Sequence, residues 1–154
     1  MLSNNKYLII AGILSSLGAI LHLGMIIGGP DWYRFFGAGE GMAQMAEKGM
    51  AYPAIAAASI ATVLFIWSAY AFSGAGVIKR LPLLKTGLVV ISIIFIIRAL
   101  FGIALVNYID HPYYNELQAR PTFMVVTSLI CFIYGLFYIV GTVKNWSTLS
   151  AKST

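Results

Sequence analysis

Four long apolar runs divide the chain, at roughly 7–27, 51–72, 86–109 and 122–142. Crossing the hydrocarbon of a bilayer takes about 20 apolar residues as helix, and each run supplies that length. Backbone groups in lipid must satisfy one another, so each run is predicted to be a membrane-spanning helix. The first run follows Lys6. It exceeds the roughly 7–15 residues of a signal-peptide core and no small-residue cleavage pattern follows it, so it reads as a retained span. No connection is long enough for a separate soluble domain. The expected fold is all-α, a single integral membrane domain over 1–154 built as a four-transmembrane-helix bundle.

Between the first two runs lies GGPDWYRFFGAGEGMAQMAEKG, positions 28–49. Gly28, Gly29 and Pro30 end the first span, and Asp31 is placed to cap a new helix with Trp32 in its first turn. At about 100° per residue, Trp32, Phe35, Phe36, Gly39, Met42, Ala43 and Ala46 share one face. Arg34, Glu40, Gln44, Glu47 and Lys48 share the other. That pattern predicts a short amphipathic helix in the plane of the interface. Gly37, Gly39 and Gly41 each cost about 1 kcal/mol inside a helix, so a kink or break is expected near 37–41. Two readings stay open. The segment is a connector that plugs the outer mouth of the bundle, or it is a lid whose glycines bring backbone and Glu40 close to a ligand.

Composition agrees with the pattern. The chain is 60% hydrophobic and 10% charged, with mean hydropathy +0.86, whereas soluble domains carry about 25% charged residues. Membrane lipid is therefore an expected partner. The charges then set the orientation. Lys6, Lys79, Arg80, Lys85, Lys144 and Lys152 fall in the N-terminal tail, the second connection and the C-terminal tail. All five acids, Asp31, Glu40, Glu47, Asp110 and Glu116, fall in the first and third connections. The positive-inside rule places both termini on the cytoplasmic side of an inner membrane and these two connections outside. The net charge of +5 reports that topology, not nucleic-acid binding. Tyr7, Tyr52, Tyr108, Tyr113, Tyr114 and Trp146 fall near span ends, where amphipathic rings anchor.

Polar residues inside the spans are the candidate chemistry. Arg98 lies near the middle of the third run, at a cost of about 2.5–3.5 kcal/mol on insertion scales. It is about eleven residues, or roughly 16 Å, from the outer end, so full snorkelling is difficult. It is read as holding a ligand, or alternatively as bonding helix carbonyls or the hydroxyls of Thr62, Thr127, Ser128 or Tyr134. His22 shares a stripe with Ser15, Gly18 and Ala19, which turns it toward other helices. It is either a satisfied structural histidine or a ligand, acid–base or metal contact. The third connection, NYIDHPYYNELQARP, adds Asp110, His111, Glu116 and Arg120 on the side of the first connection. The candidate ligand-binding set is Arg98, His22, Glu40, Trp32, Asp31 and His111, with an Arg98–Glu40 pair as its sharpest element.

Much chemistry is disfavoured. A haem b bundle usually takes two axial histidines, and only His22 lies in a span. Two histidines and one cysteine, Cys131, argue against zinc and exclude intramolecular thiol redox chemistry. Met25, Met42, Met45 and Met50 could supply soft copper ligands but fit an apolar interfacial face as well. There is no Walker motif, nucleophile elbow or HExxH. No intramembrane carboxylate is present to drive a proton pump. No cofactor or metal is expected.

The stretch HLGMIIGGPDWYRFFGAGE resembles the first loops of small, uncharacterised bacterial four-helix inner-membrane proteins, and the resemblance implies no activity. Small multidrug transporters, four-span eicosanoid and glutathione enzymes and quinone-linked oxidoreductases are similar in size. The first-span glutamate of the first and the cysteine pairs of the last are missing. The reading is a membrane protein that binds a small amphipathic or lipid-like ligand in an outward-facing pocket. Its rivals are an enzyme acting on such a ligand, with His22 or Glu40 as acid or base, and an accessory subunit. The small residues of AYPAIAAASIA suit packing within one chain, in a homo-oligomer or in a larger complex.

Overall fold

The computed structural model describes residues 5–150, apart from the side chains of 103–107. All regular structure among them is helical. Four long helices, α1 (Lys6–Gly28), α4 (Tyr52–Gly74), α5 (Leu84–Tyr108) and α7 (Pro121–Lys144), correspond to the four apolar runs. Each is long and apolar enough to cross a membrane, α5 over Leu84–Gly102. Short helices fill the connections: α2 (Pro30–Phe35), α3 (Glu40–Glu47) and α6 (Pro112–Gln118) at one end, and α8 (Trp146–Ser150) at the other. The chain is an all-α, multi-pass membrane protein.

Local sequence sets the helix ends. The Asn5 carboxamide oxygen accepts from Tyr7 N and Leu8 N at the start of α1, and its nitrogen donates to Gly141 O at 2.7 Å on α7. Pro30, Pro53, Pro112 and Pro121 each sit in the first two positions of a helix, where a missing N–H costs nothing. Asp31 is not the cap expected of it. Gly29, at φ 67°, occupies that place and Asp31 falls in the first turn. The expected break is present: α2 ends at Phe35, α3 begins at Glu40, and Gly37 and Gly39 between them have φ of 74° and 98°.

α1 packs most extensively on α4, and α5 on α7. The α1 stripe carries Ser15 and Ala19, both fully buried, and the α4 stripe carries Pro53, Ala57 and Ala61. Small side chains let these backbones approach closely. One apolar core joins all four helices in the half nearest the termini: Leu8, Ala71, Leu88, Ile91, Phe95 and Tyr138 belong to it. Buried hydroxyls tie it together. Tyr138 donates to Trp67 O at 3.0 Å beside Ser15 Oγ at 2.9 Å, Ser68 donates to Gly12 O at 2.8 Å, and Tyr134 donates to Leu14 O at 2.7 Å.

Toward the opposite end the core separates. One cluster, Met25, Tyr33, Ala43 and Ala57, binds α2 and α3 to the α1–α4 pair. Another, Leu117 and Met124 with Tyr114 and Phe123, binds α6 to α7. Charge follows the same division. Lys6, Lys79, Arg80, Lys85 and Lys144 stand at the end near the termini, and all five acids stand at the other. Lys152 lies outside the described residues.

Candidate functional site

The acid-bearing end is a built cap. Arg34, in the last turn of α2, holds Glu40 through two parallel bonds of 2.8 Å, from Nε to Oε2 and from Nη2 to Oε1. Its Nη2 also donates to Glu47 at 2.7 Å, and its Nη1 reaches Asp31 at 3.4 Å. The wheel's polar face thus closes on itself across the glycine break. Hydrogen bonding from Arg34 holds the Glu40 carboxyl below the usual carboxylate range.

The third connection locks onto the first. Both Glu116 carboxylate oxygens accept from the Glu40 backbone N–H, at 3.0 and 2.8 Å. The free N–H groups at a helix start favour an anion there. Arg120 donates to Arg34 O at 2.7 Å and Phe35 O at 3.3 Å, which satisfies carbonyls at the end of α2. The same guanidinium lies 4.8 Å over the Phe123 ring. Tyr113 Oη donates to Gly37 O at 3.3 Å. Glycine is required at the break: a Cβ on Gly37 would overlap the Phe123 ring, and one on Gly39 would stand 2.9 Å from Tyr113. The alternate glycines admit the rings of α6 and α7.

The six candidate residues do not converge. Glu40 pairs with Arg34, so the expected Arg98–Glu40 pair is not formed. Its acid group faces Arg34 because the six-residue separation spans the glycine turn and returns the α3 carboxylate to the α2 guanidinium. Asp31 joins that network at its exposed edge. Trp32 folds back against Gly24 and Gly28 of α1, which leave room for the indole. The wheel put Trp32, Phe35 and Phe36 on the apolar face, but Tyr33 is the buried residue of α2, because the break lets α2 turn independently of α3. His111 caps α6, its Nδ1 accepting from Tyr113 N at 3.2 Å. His22 Nδ1 lies 2.8 Å from Gly18 O one turn back. As that carbonyl only accepts, the ring donates from Nδ1.

Arg98 stands apart. It follows Phe95, the last α5 residue in the shared core, and it is exposed on the isolated chain. Its guanidinium lies over Gly102, where any Cβ would overlap it, and it points toward the acid-bearing end. The position of a Gly102 Cβ is also 3.5 Å from Ser128 Oγ on α7. No carboxylate of the five lies within ion-pair distance of Arg98. Three of the hydroxyls that were alternative partners donate to helix carbonyls, Thr62 to Ala58 O, Thr127 to Phe123 O and Tyr134 to Leu14 O, and none of them bonds Arg98 among the described residues. The fourth, Ser128, is buried and its hydroxyl has no partner among the described residues. Above them, burial pushes the Tyr113 phenol up, and the nearby Arg98 charge opposes that shift.

Sequence reasoning missed the roles of Arg34, Glu116 and Arg120 in the cap. Arg34 carried a signal, as the cation set among Asp31, Glu40 and Glu47. Among the described residues no group of three His, Cys, Asp or Glu side chains is placed to hold a metal. No protein family, curated protein or solved structure matches the chain.

Proposed function

We propose that this membrane protein binds a small amphipathic or lipid-like ligand between α5 and α7, with Arg98 holding its anionic or carbonyl group. The observation that carries this reading is an intramembrane guanidinium with no ion-pair partner among the described residues, beside a buried Ser128 hydroxyl with no hydrogen bond. A charge at such depth costs several kcal/mol by insertion scales of about 2.5–3.5, and its retention points to a use. The basic end is cytoplasmic and the cap of α2, α3 and α6 lies outside, by the excess of Lys and Arg at one end. The ligand enters from the bilayer side or past the cap edge near Tyr113. A binder fits better than an enzyme with Glu40 as base, because Arg34 occupies both Glu40 oxygens.

Native mass spectrometry of the detergent-purified chain beside Arg98→Ala tests this. Wild type should carry a small-molecule adduct, and the variant, still helical, should retain at least about tenfold less, a loss of about 1.4 kcal/mol in affinity. Identical spectra from two folded proteins would refute the assignment of Arg98.

A further inference from the structure

A second site lies at the basic end, on the bilayer-facing side of α5 and α7. An open groove of about 380 Å³ runs between Val89, Ser92, Ile93, Ile96 and Ile97 on α5 and Ile139, Thr142 and Val143 on α7, and it ends at Trp146. Its walls are almost wholly apolar. The Ser92 hydroxyl is turned to Leu88 O at 2.7 Å. Thr142, in the floor, is 3% exposed and its hydroxyl has no hydrogen-bond partner. Its α5 wall runs from Val89 to Ile97, about eight residues or roughly 12 Å at 1.5 Å per residue. That accommodates the headgroup-proximal part of an acyl chain, parallel to the chains of a bilayer.

The mouth supplies the charge. Lys85 Nζ lies 3.7 Å over the Trp146 ring and 2.8 Å from Ser150 Oγ. Among the described residues no carboxylate pairs with Lys85, and every ion pair is at the opposite end. An ammonium has three donors, so Lys85 keeps donors for a phosphate. Arg80 braces the same corner through Thr148 O and Leu149 O of α8. Indole rings prefer headgroup depth, and the charge at this end attracts anionic lipid.

We propose that this groove is a specific site for an anionic phospholipid, with one acyl chain lying along α5 and α7 and the phosphate on Lys85 beside Trp146. Its cation is Lys85, thirteen residues before Arg98 on α5, so variants of the two cations test the two sites separately. The test uses the full chain, delipidated in detergent and titrated with phosphatidylglycerol or with phosphatidylcholine of the same two acyl chains, read by native mass spectrometry. Wild type should hold one phosphatidylglycerol with at least about tenfold preference. Lys85→Gln should bring the preference below about threefold, and Ile97→Trp, which fills the groove, should remove both lipids. Arg98→Ala should leave this lipid in place. Circular dichroism checks folding, and Lys85→Gln, a surface change, still decides the matter if Ile97→Trp misfolds. Equal retention of the two lipids by wild type, undiminished binding by folded Ile97→Trp, or a lipid-free dimer burying this face would each overturn the proposal.

Discussion

Alanine at Gly37 should destabilise the protein by about 2–4 kcal/mol. The left-handed backbone, at φ 74°, costs an L-residue about 1–2 kcal/mol. The new Cβ must also displace the Phe123 ring. That ring is held between the Leu117–Met124 cluster and the Arg120 guanidinium, so it cannot swing freely. Forcing a methyl into packed space costs about 1–3 kcal/mol more. Gly41 is the control. It lies within α3 with nothing within 4 Å of its Cβ position, so Gly41→Ala should be neutral or stabilising by up to about 1 kcal/mol. Thermal unfolding in one detergent compares them, and equal midpoints would show that the Gly37 turn is not held as described.

Arg120→Ala should produce the second large effect, about 2–3 kcal/mol, confined to the cap. Hydrogen bonds to a charged group contribute about 1.5–3 kcal/mol each, and partial exposure and the 3.3 Å length of the second keep the total near the value of one such bond. The change removes the guanidinium from the Phe35 carbonyl and leaves the Arg34 carbonyl only the Gly37 N–H at 3.3 Å. Hydrogen–deuterium exchange should speed up at amides 32–41 while those facing the Tyr138 core stay protected. Uniform acceleration through α1, α4 and α7 would mean that the cap and the spans unfold as one unit.

The spans were legible because a bilayer imposes one dominant requirement, length of apolar helix, and all four runs meet it. The break at 37–41 was legible for an equally local reason, the helix cost of glycine. The inward stripe of Ser15 and Ala19 followed from helical spacing alone. The cap was legible only in part. Met42, Ala43 and Ala46 fell on the packed face of α3 as the wheel required. Within α2 the wheel did not single out Tyr33, the buried residue that packs with Met25, Ala43 and Ala57. The partners of Glu116 and Arg120 lie 76 and 86 residues away, and no short-range pattern encodes such pairings. Arg98 stood out in sequence by its depth, and helical spacing puts Gly102 one turn away on its face, but the approach of Ser128 depends on how α5 meets α7.

The measurement that bears most directly on the account is the unfolding midpoint of Arg98→Leu against wild type, both stripped of bound small molecules. If Arg98 serves a ligand and not the fold, leucine removes an insertion cost of about 2.5–3.5 kcal/mol and breaks no ion pair, so the variant should be more stable by about 1–3 kcal/mol. A variant less stable than wild type by that amount would contradict the account, because it would mean that the guanidinium is part of what holds α5 against α7.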